Sequence, residues 1–156
     1  MRKRGRVIAF PIAVVAPIIL SSLGLDYKGS LLIGVGIFAG YEIGKYIDPD
    51  WDLVTATNSE SRMINELPLI GYYLFGVSSM YGAIFRRMHR SFWTHFPAVS
   101  TAIRHFFVFG GLGWEIYWST LDWSWLIFIY IGIFVGNSFS DAIHWFLDMI
   151  KYPKSE

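Results

Sequence analysis

The sequence contains no cysteine and little charge, and these two absences limit what the chain can be. Without cysteine, disulfides and thiolate metal sites are excluded, so a metal centre must use histidine, aspartate, glutamate and water as ligands. Charged residues make up 16% of the 156 residues and hydrophobic residues 54%, which is too apolar for an ordinary soluble domain. The formal net charge of +1 argues against a nucleic-acid partner. We therefore expect one membrane-embedded domain covering residues 1–156.

Four apolar segments are predicted to cross the membrane. Residues 7–24 are uncharged and long enough to span ~30 Å of hydrocarbon at ~1.5 Å per residue. This segment also resembles a signal peptide, but we expect it to be an uncleaved first span. Residues 30–47 are glycine-rich and are predicted to end at Asp48-Pro49. Two further apolar runs, 105–118 and 123–136, flank a tryptophan-rich turn typical of a membrane interface.

A fifth apolar segment, residues 67–85, is interrupted by proline, glycine and serine. We interpret it as a re-entrant or interfacial element that does not cross the membrane. The predicted fold class is therefore all-α, an integral membrane helical bundle with about four spans plus this segment.

Clusters of basic residues predict the orientation. Arginine and lysine occur at positions 2–6 and again at 86–90, and cytoplasmic loops carry an excess of such residues. Both termini and residues 86–97 are then cytoplasmic, and the turn at residues 120–122 lies outside. The same topology brings three separated groups of polar residues to the cytoplasmic face.

The first group is an acidic turn, in which Asp48, Asp50 and Asp52 occupy alternate positions. These carboxylates would either be solvated, cap the next helix, or face a site. The second group contains His89 and His95, whose six-residue separation corresponds to ~600° on a helix, so they cannot share one helical face. The chain must bend there, and Pro97 suits the first turn of a new helix. The alternative is that both histidines are interfacial residues.

The third group is a polar stripe near the end of the chain. The stripe comprises Asn137, Asp141, His144 and Asp148, which are separated by four, three and four residues. On a helix these four positions fall within about 60° of one another. Ionisable groups at membrane depth are costly unless they face a polar cavity or coordinate a ligand. The stripe therefore indicates a functional site, with an interhelical hydrogen-bond seam as the alternative.

Together the three groups supply imidazoles and carboxylates without thiolates. This donor set suits a divalent metal such as Zn, Mn or Fe, and the sequence does not distinguish among them. Basic residues beside the groups would hold anionic lipid headgroups: Arg86, Arg87, Arg90 and Arg104. For Arg104 and the adjacent His105, a position directly behind the metal site is an alternative.

The ordered motifs resemble a bacterial family of metal-binding membrane proteins of unassigned function, itself similar to the YdjM-like inner-membrane metal-dependent hydrolases. The resemblance covers residues 30–148 and depends on three motifs. The first is the Pro-Asp-x-Asp turn at 49–52, and the second is the HRSFWTH sequence at 89–95 with Pro97 and Arg104 downstream. The third is the closing His-x-x-x-Asp of His144 and Asp148.

The resemblance implies a multi-pass protein of the cell inner membrane and a set of metal ligands, namely Asp50 or Asp52, His89, His95, His144 and Asp148. One feature departs from the family pattern, because no histidine precedes His89 and an expected ligand is missing. The site would then be mononuclear and completed by Asp48 or Asp141, or degenerate and inactive.

The resemblance favours a metal-dependent hydrolase that acts on a lipid-linked or phosphate ester at the cytoplasmic face. In this hypothesis Asp52 or Asp141 accepts the proton from a metal-bound water. Two alternatives use the same residues: an ion or metal transporter, and a non-catalytic membrane scaffold with a structural metal.

Overall fold

The computed structural model describes residues 2–44, 46–47, 58–88, 96–117 and 124–151. All regular structure in these ranges is helical, which confirms the all-α prediction for them. The helices are α1 (Arg2–Ser22), α2 (Tyr27–Ile43), α3 (Asn58–Glu66), α4 (Pro68–Phe85, followed by a 3-10 turn at Arg86–Met88), α5 (Val99–Tyr117) and α6 (Ser124–Lys151). They form two compact units: α1, α2 and α6 make the first, and α3, α4 and α5 make the second.

In the first unit, α2 and α6 pack along a seam of small residues. These recur every four positions: Gly36 and Gly40 on α2 with Gly44 at its C-cap, and Gly132, Gly136 and Ser140 on α6. A Cβ atom on Gly36 would lie 2.8 Å from the Gly132 Cα, and one on Gly136 would lie 2.8 Å from the Tyr41 nitrogen. Only glycine allows the two backbones to approach so closely, and this spacing of small residues is typical of packed membrane helices.

The contact between α1 and α2 is made where a proline meets a glycine. Pro17 has no N–H to donate to the carbonyl of Ala13 four residues earlier in α1. That carbonyl oxygen would be 2.6 Å from a Cβ on Gly34, so it points at the bare backbone of α2. The close approach brings the Gly34 Cα–H to the Ala13 oxygen, which lacks the backbone N–H that would otherwise bond to it within the helix.

The ends of α2 are set by two local features. At the start, the Asp26 carboxylate accepts a hydrogen bond from the Gly29 N–H at 3.1 Å and caps the helix. At the other end the helix stops at Ile43 and is capped by Gly44, whose N–H donates to the Gly40 carbonyl at 2.9 Å. The prediction that this helix continues to Asp48-Pro49 is therefore wrong, because a turn at Gly44 ends it before the proline can.

In the second unit, α4 and α5 pack through larger side chains. The rings of Tyr81 and Phe85 on α4 lie 4.7 Å apart between centroids, and Tyr81 meets Phe107 of α5 edge-on at 5.7 Å. The Tyr73 hydroxyl donates to the Val108 carbonyl at 2.7 Å. Gly71 allows α4 to pack directly against the Met63 carbonyl of α3.

Helix α4 is continuous over its 18 residues, so its glycines and serines do not interrupt it. At ~1.5 Å per residue its length is ~27 Å, close to the thickness of a bilayer core. The glycines and serines of α4 therefore do not support a re-entrant segment. The placement of α4 as re-entrant or interfacial stays a prediction.

The described residues bury a small apolar core but also expose many large apolar side chains. Large apolar side chains face outward, among them Ile18 at 66% exposure and Leu69 at 88%, whereas Arg104 and Asn137 are fully buried. One described stretch, Trp125–Leu147 of α6, is long and apolar enough to cross a membrane, and only 22% of its most apolar window is buried. A core helix of a soluble protein would be mostly buried.

Candidate functional site

The polar stripe predicted near the end of the chain lies on α6 in the first unit. Asn137 is fully buried, Asp141 is 1% exposed and His144 is half-buried. The three side chains share one face of the helix, because the helix is continuous and the residues are separated by four and three positions. The backbone of Asp148 continues the same face one turn later, and its side chain lies outside the described residues.

The stripe begins where the glycine seam ends. A Cβ on Gly44 would lie 2.6 Å from the Ser140 hydroxyl and 2.8 Å from the Asn137 Oδ1, so the bare backbone at the C-terminal end of α2 lies against Asn137, the first residue of the stripe. The C-terminal end of a helix carries partial negative charge from its free carbonyls. That charge and the Asp141 carboxylate belong to the same unit and both favour a cation.

A second group of buried polar side chains lies in the second unit, at the start of α5. Ser100, Thr101, Arg104 and His105 are at most 1% exposed, and their spacing places them along one side of the first two turns. Ser78 and Tyr81 of α4 are also fully buried. Sequence reasoning singled out only Arg104 and His105. Ser100 and Thr101 could have been found from the sequence, because they lie three or four residues before Arg104 and His105 and so share a helix face with them.

The basic residues of this unit differ in accessibility. Arg86 and Arg87 are exposed at the C-terminal end of α4, as contact with lipid headgroups requires. Arg104 is fully buried, which favours the alternative in which it acts from within the protein rather than on headgroups.

The turn directly before α5 covers residues 96–98, and the bend predicted between His89 and His95 lies outside the described residues. Helix α5 begins at Val99, so Pro97 lies in the preceding turn and not in the first helical turn. The Ser100 N–H donates to the Phe96 carbonyl at 2.9 Å, and Ala98 adopts a left-handed conformation with φ of 65°. This backbone region is unfavourable for alanine, so the turn holds local strain at Ala98.

Most of the predicted metal ligands lie outside the described residues: Asp48, Asp50, Asp52, His89 and His95, together with Arg90. Their convergence on one centre stays a prediction. Within the described part of the chain, no group of three or more histidine, aspartate or glutamate side chains is placed to hold a metal. The described pair of Asp141 and His144 offers one carboxylate and one imidazole on a shared face, which fits part of a Zn, Mn or Fe donor set.

No protein family, no characterised relative and no solved structure matches the chain in the comparisons. The resemblance to the metal-binding membrane family therefore rests on the short motifs alone.

Proposed function

We propose that the chain is a multi-pass inner-membrane protein that binds a divalent metal at the cytoplasmic face and hydrolyses a lipid-linked or phosphate ester there. The observation that carries the proposal is the polar stripe of α6, in which Asn137 and Asp141 are buried and His144 is half-buried, on a helix that also exposes large apolar side chains. The metal and the hydrolytic reaction are inferred from the donor set and from the motif resemblance.

The energetic argument concerns Asp141. A carboxylate withdrawn from water is costly unless a cation or hydrogen-bond donors compensate its charge. In the same unit, the end of α2 adds further negative potential beside Asn137, which makes a cation the more favourable neighbour. The imidazole of His144, one turn further along, would bind that cation through a nitrogen, as would the family-implied His89 and His95.

The residues divide between two tasks in the proposed reaction. A bound divalent cation supplies an acidified water and polarises the phosphoryl or acyl oxygen. Asp141, or Asp52 from the acidic turn, accepts the proton of that water as general base. Arg86 and Arg87, which are exposed at the end of α4, hold anionic headgroups by Coulomb attraction.

The central test is the metal content of the protein purified in detergent and loaded with Zn, Mn or Fe. His144→Ala should lose bound metal and hydrolysis of bis-p-nitrophenyl phosphate or p-nitrophenyl butyrate together. Ser138→Ala on the same helix is the control and should keep both. The proposal fails if the wild-type chain binds none of the three metals, or if His144→Ala keeps its metal.

The alternative functions give different outcomes in the same samples. Metal flux into proteoliposomes without hydrolysis would indicate a transporter. Bound metal with neither flux nor hydrolysis would indicate a structural metal in a scaffold.

The topology is tested separately, because the chain has no cysteine of its own. A cysteine at position 28, in the first turn of α2, should react with an impermeant maleimide from outside, and one at position 87 only from the cytoplasm. Outside labelling of position 87 would separate the basic cluster from the cytoplasmic face and contradict the shared site.

A further inference from the structure

An open groove of about 710 Å³ runs between α1 and α2 on the surface of the first unit. The two helices are held together where Pro17 meets Gly34, and both residues form part of the groove wall. Side chains that remain largely exposed line the rest, including Val14 at 48% and Ile18 at 66%. The groove is therefore accessible along its length.

The lining of the groove changes in polarity from one end to the other. At the first end the rings of Phe10 and Phe38 meet edge-on at 6.3 Å. At the second end the lining residues are Ser21, Ser22 and Tyr27, which carry hydroxyl groups. An occupant with an apolar body and a polar end would match this gradient.

The dimensions also select the occupant. From Phe10 to Ser22 the groove follows α1 for ~18 Å, slightly more than half of a ~30 Å hydrocarbon core, so it covers about one leaflet. One acyl chain of a bilayer lipid occupies about this depth.

Charge at the polar end completes the match. Lys28 follows Tyr27 and is exposed, so it offers a cation at the end where the hydroxyl groups lie. The nearby Asp26 carboxylate is engaged by the Gly29 N–H, which partly offsets its negative charge. A phosphate in the headgroup layer would meet Lys28 at the level at which an acyl chain enters the groove.

We propose that this groove binds one acyl chain of a membrane phospholipid, with the lipid phosphate at the Lys28 end. The inference rests on the proposal that the chain is membrane-embedded, and it does not depend on the metal or on hydrolysis. The partner is a bilayer lipid rather than another protein segment.

The test compares two neighbouring valines of equal exposure. Val14 lines the groove and Val15 does not, and both are 48% exposed on α1. Val14→Trp should fill the groove, whereas Val15→Trp adds the same bulk elsewhere on the helix. Phospholipid that remains bound after detergent purification is counted by native mass spectrometry and by phosphorus analysis.

We expect wild type and Val15→Trp to keep phospholipid. Val14→Trp should retain roughly tenfold less phospholipid, which is the change in affinity expected when about two methylene groups are no longer buried. Lys28→Ala should lower the retention of added phosphatidylglycerol. If Val14→Trp does not fold, Leu31→Trp on the α2 side of the groove serves instead, with the same control.

Three outcomes would overturn the proposal. Equal lipid retention by Val14→Trp and Val15→Trp would show that the groove holds no lipid. Conversion of a dimer to a monomer by Val14→Trp alone would identify a second copy of the chain as the occupant. Purification of the wild-type chain without detergent would remove the membrane premise itself, which distinguishes that failure from the other two.

Discussion

The α2–α6 interface of the first unit and the α4–α5 interface of the second are packed by opposite means. In the first, α2 and α6 meet backbone to backbone through Gly36, Gly40, Gly132 and Gly136, where no side chain intervenes. In the second, α4 and α5 meet through aromatic rings. The first interface depends on the absence of side-chain atoms, and the second on large side chains that fill space.

This difference determines how each unit should respond to substitution. Added atoms should damage the glycine seam, because the contacting atoms are backbone and have little room to move. Removed atoms should damage the second unit, because its interior contains a fully buried arginine and closely packed rings. The four predictions that follow test the comparison through unfolding in detergent, monitored by tryptophan fluorescence.

The largest effect is expected for Arg104→Ala in the second unit. Arg104 is fully buried, and truncation of a large buried side chain to alanine leaves a cavity that typically costs ~2–5 kcal/mol of unfolding free energy. Arg87→Ala, an exposed arginine of the same unit, is the control and should change stability by less than ~0.5 kcal/mol. Similar small losses in both variants would contradict the importance of the buried cation.

The next effect concerns the glycine seam. Gly136→Ala places a Cβ against the Ile37 carbonyl and should destabilise the first unit by ~1–3 kcal/mol. The same substitution at Gly76 of α4 meets nothing within 4 Å and should stabilise the helix by up to ~1 kcal/mol. The two changes should thus have opposite signs, and a neutral Gly136→Ala would show that the seam is not tightly packed.

A smaller effect is expected for one hydrogen bond of the second unit. Tyr73→Phe removes the hydroxyl that donates to the Val108 carbonyl at 2.7 Å and should cost ~1 kcal/mol. Tyr72→Phe, at the adjacent and more exposed tyrosine, should have no measurable effect. Equal unfolding midpoints for the two variants would mean that this bond contributes no net stability.

The smallest effect should be a gain. Ala98→Gly relieves the left-handed conformation before α5 and should raise the unfolding free energy by ~0.5–1 kcal/mol. Ala102→Gly, on the exposed side of α5, should lower it by a similar amount because glycine is unfavourable inside a helix. A loss of stability in Ala98→Gly would show that the positive φ is not strained.

The sequence predicted the helices well where hydropathy and spacing agreed. The apolar run at 7–24 lies almost entirely within α1, and the four-three spacing of Asn137, Asp141 and His144 correctly indicated one face of a helix. The prediction from the sequence failed where the low helix propensity of glycine competed with packing. The glycines of α4 suggested interruptions, yet Gly71 supports a tight contact with Met63 and the helix continues.

The candidate site was less predictable for a physical reason. Spacing along the chain determines which side chains share a helix face, as for Asp141 and His144, but not the distance between separate segments. Convergence of the acidic turn and the two central histidines depends on such distances, and these residues lie outside the described ranges. The buried hydroxyl residues at the start of α5 were overlooked because serine and threonine there also suit a turn.

The glycine seam also has a consequence for synthesis of the protein. Helix α2 emerges early from the ribosome, whereas its partner α6 begins only at Ser124, after all three helices of the second unit have been made. Until then the seam face of α2 has no α6 to pack against, although α1 can already dock through Pro17 and Gly34. Closure of the first unit is thus a late, long-range step, so a stalled chain that lacks α6 would present an unfilled glycine surface to quality-control proteases.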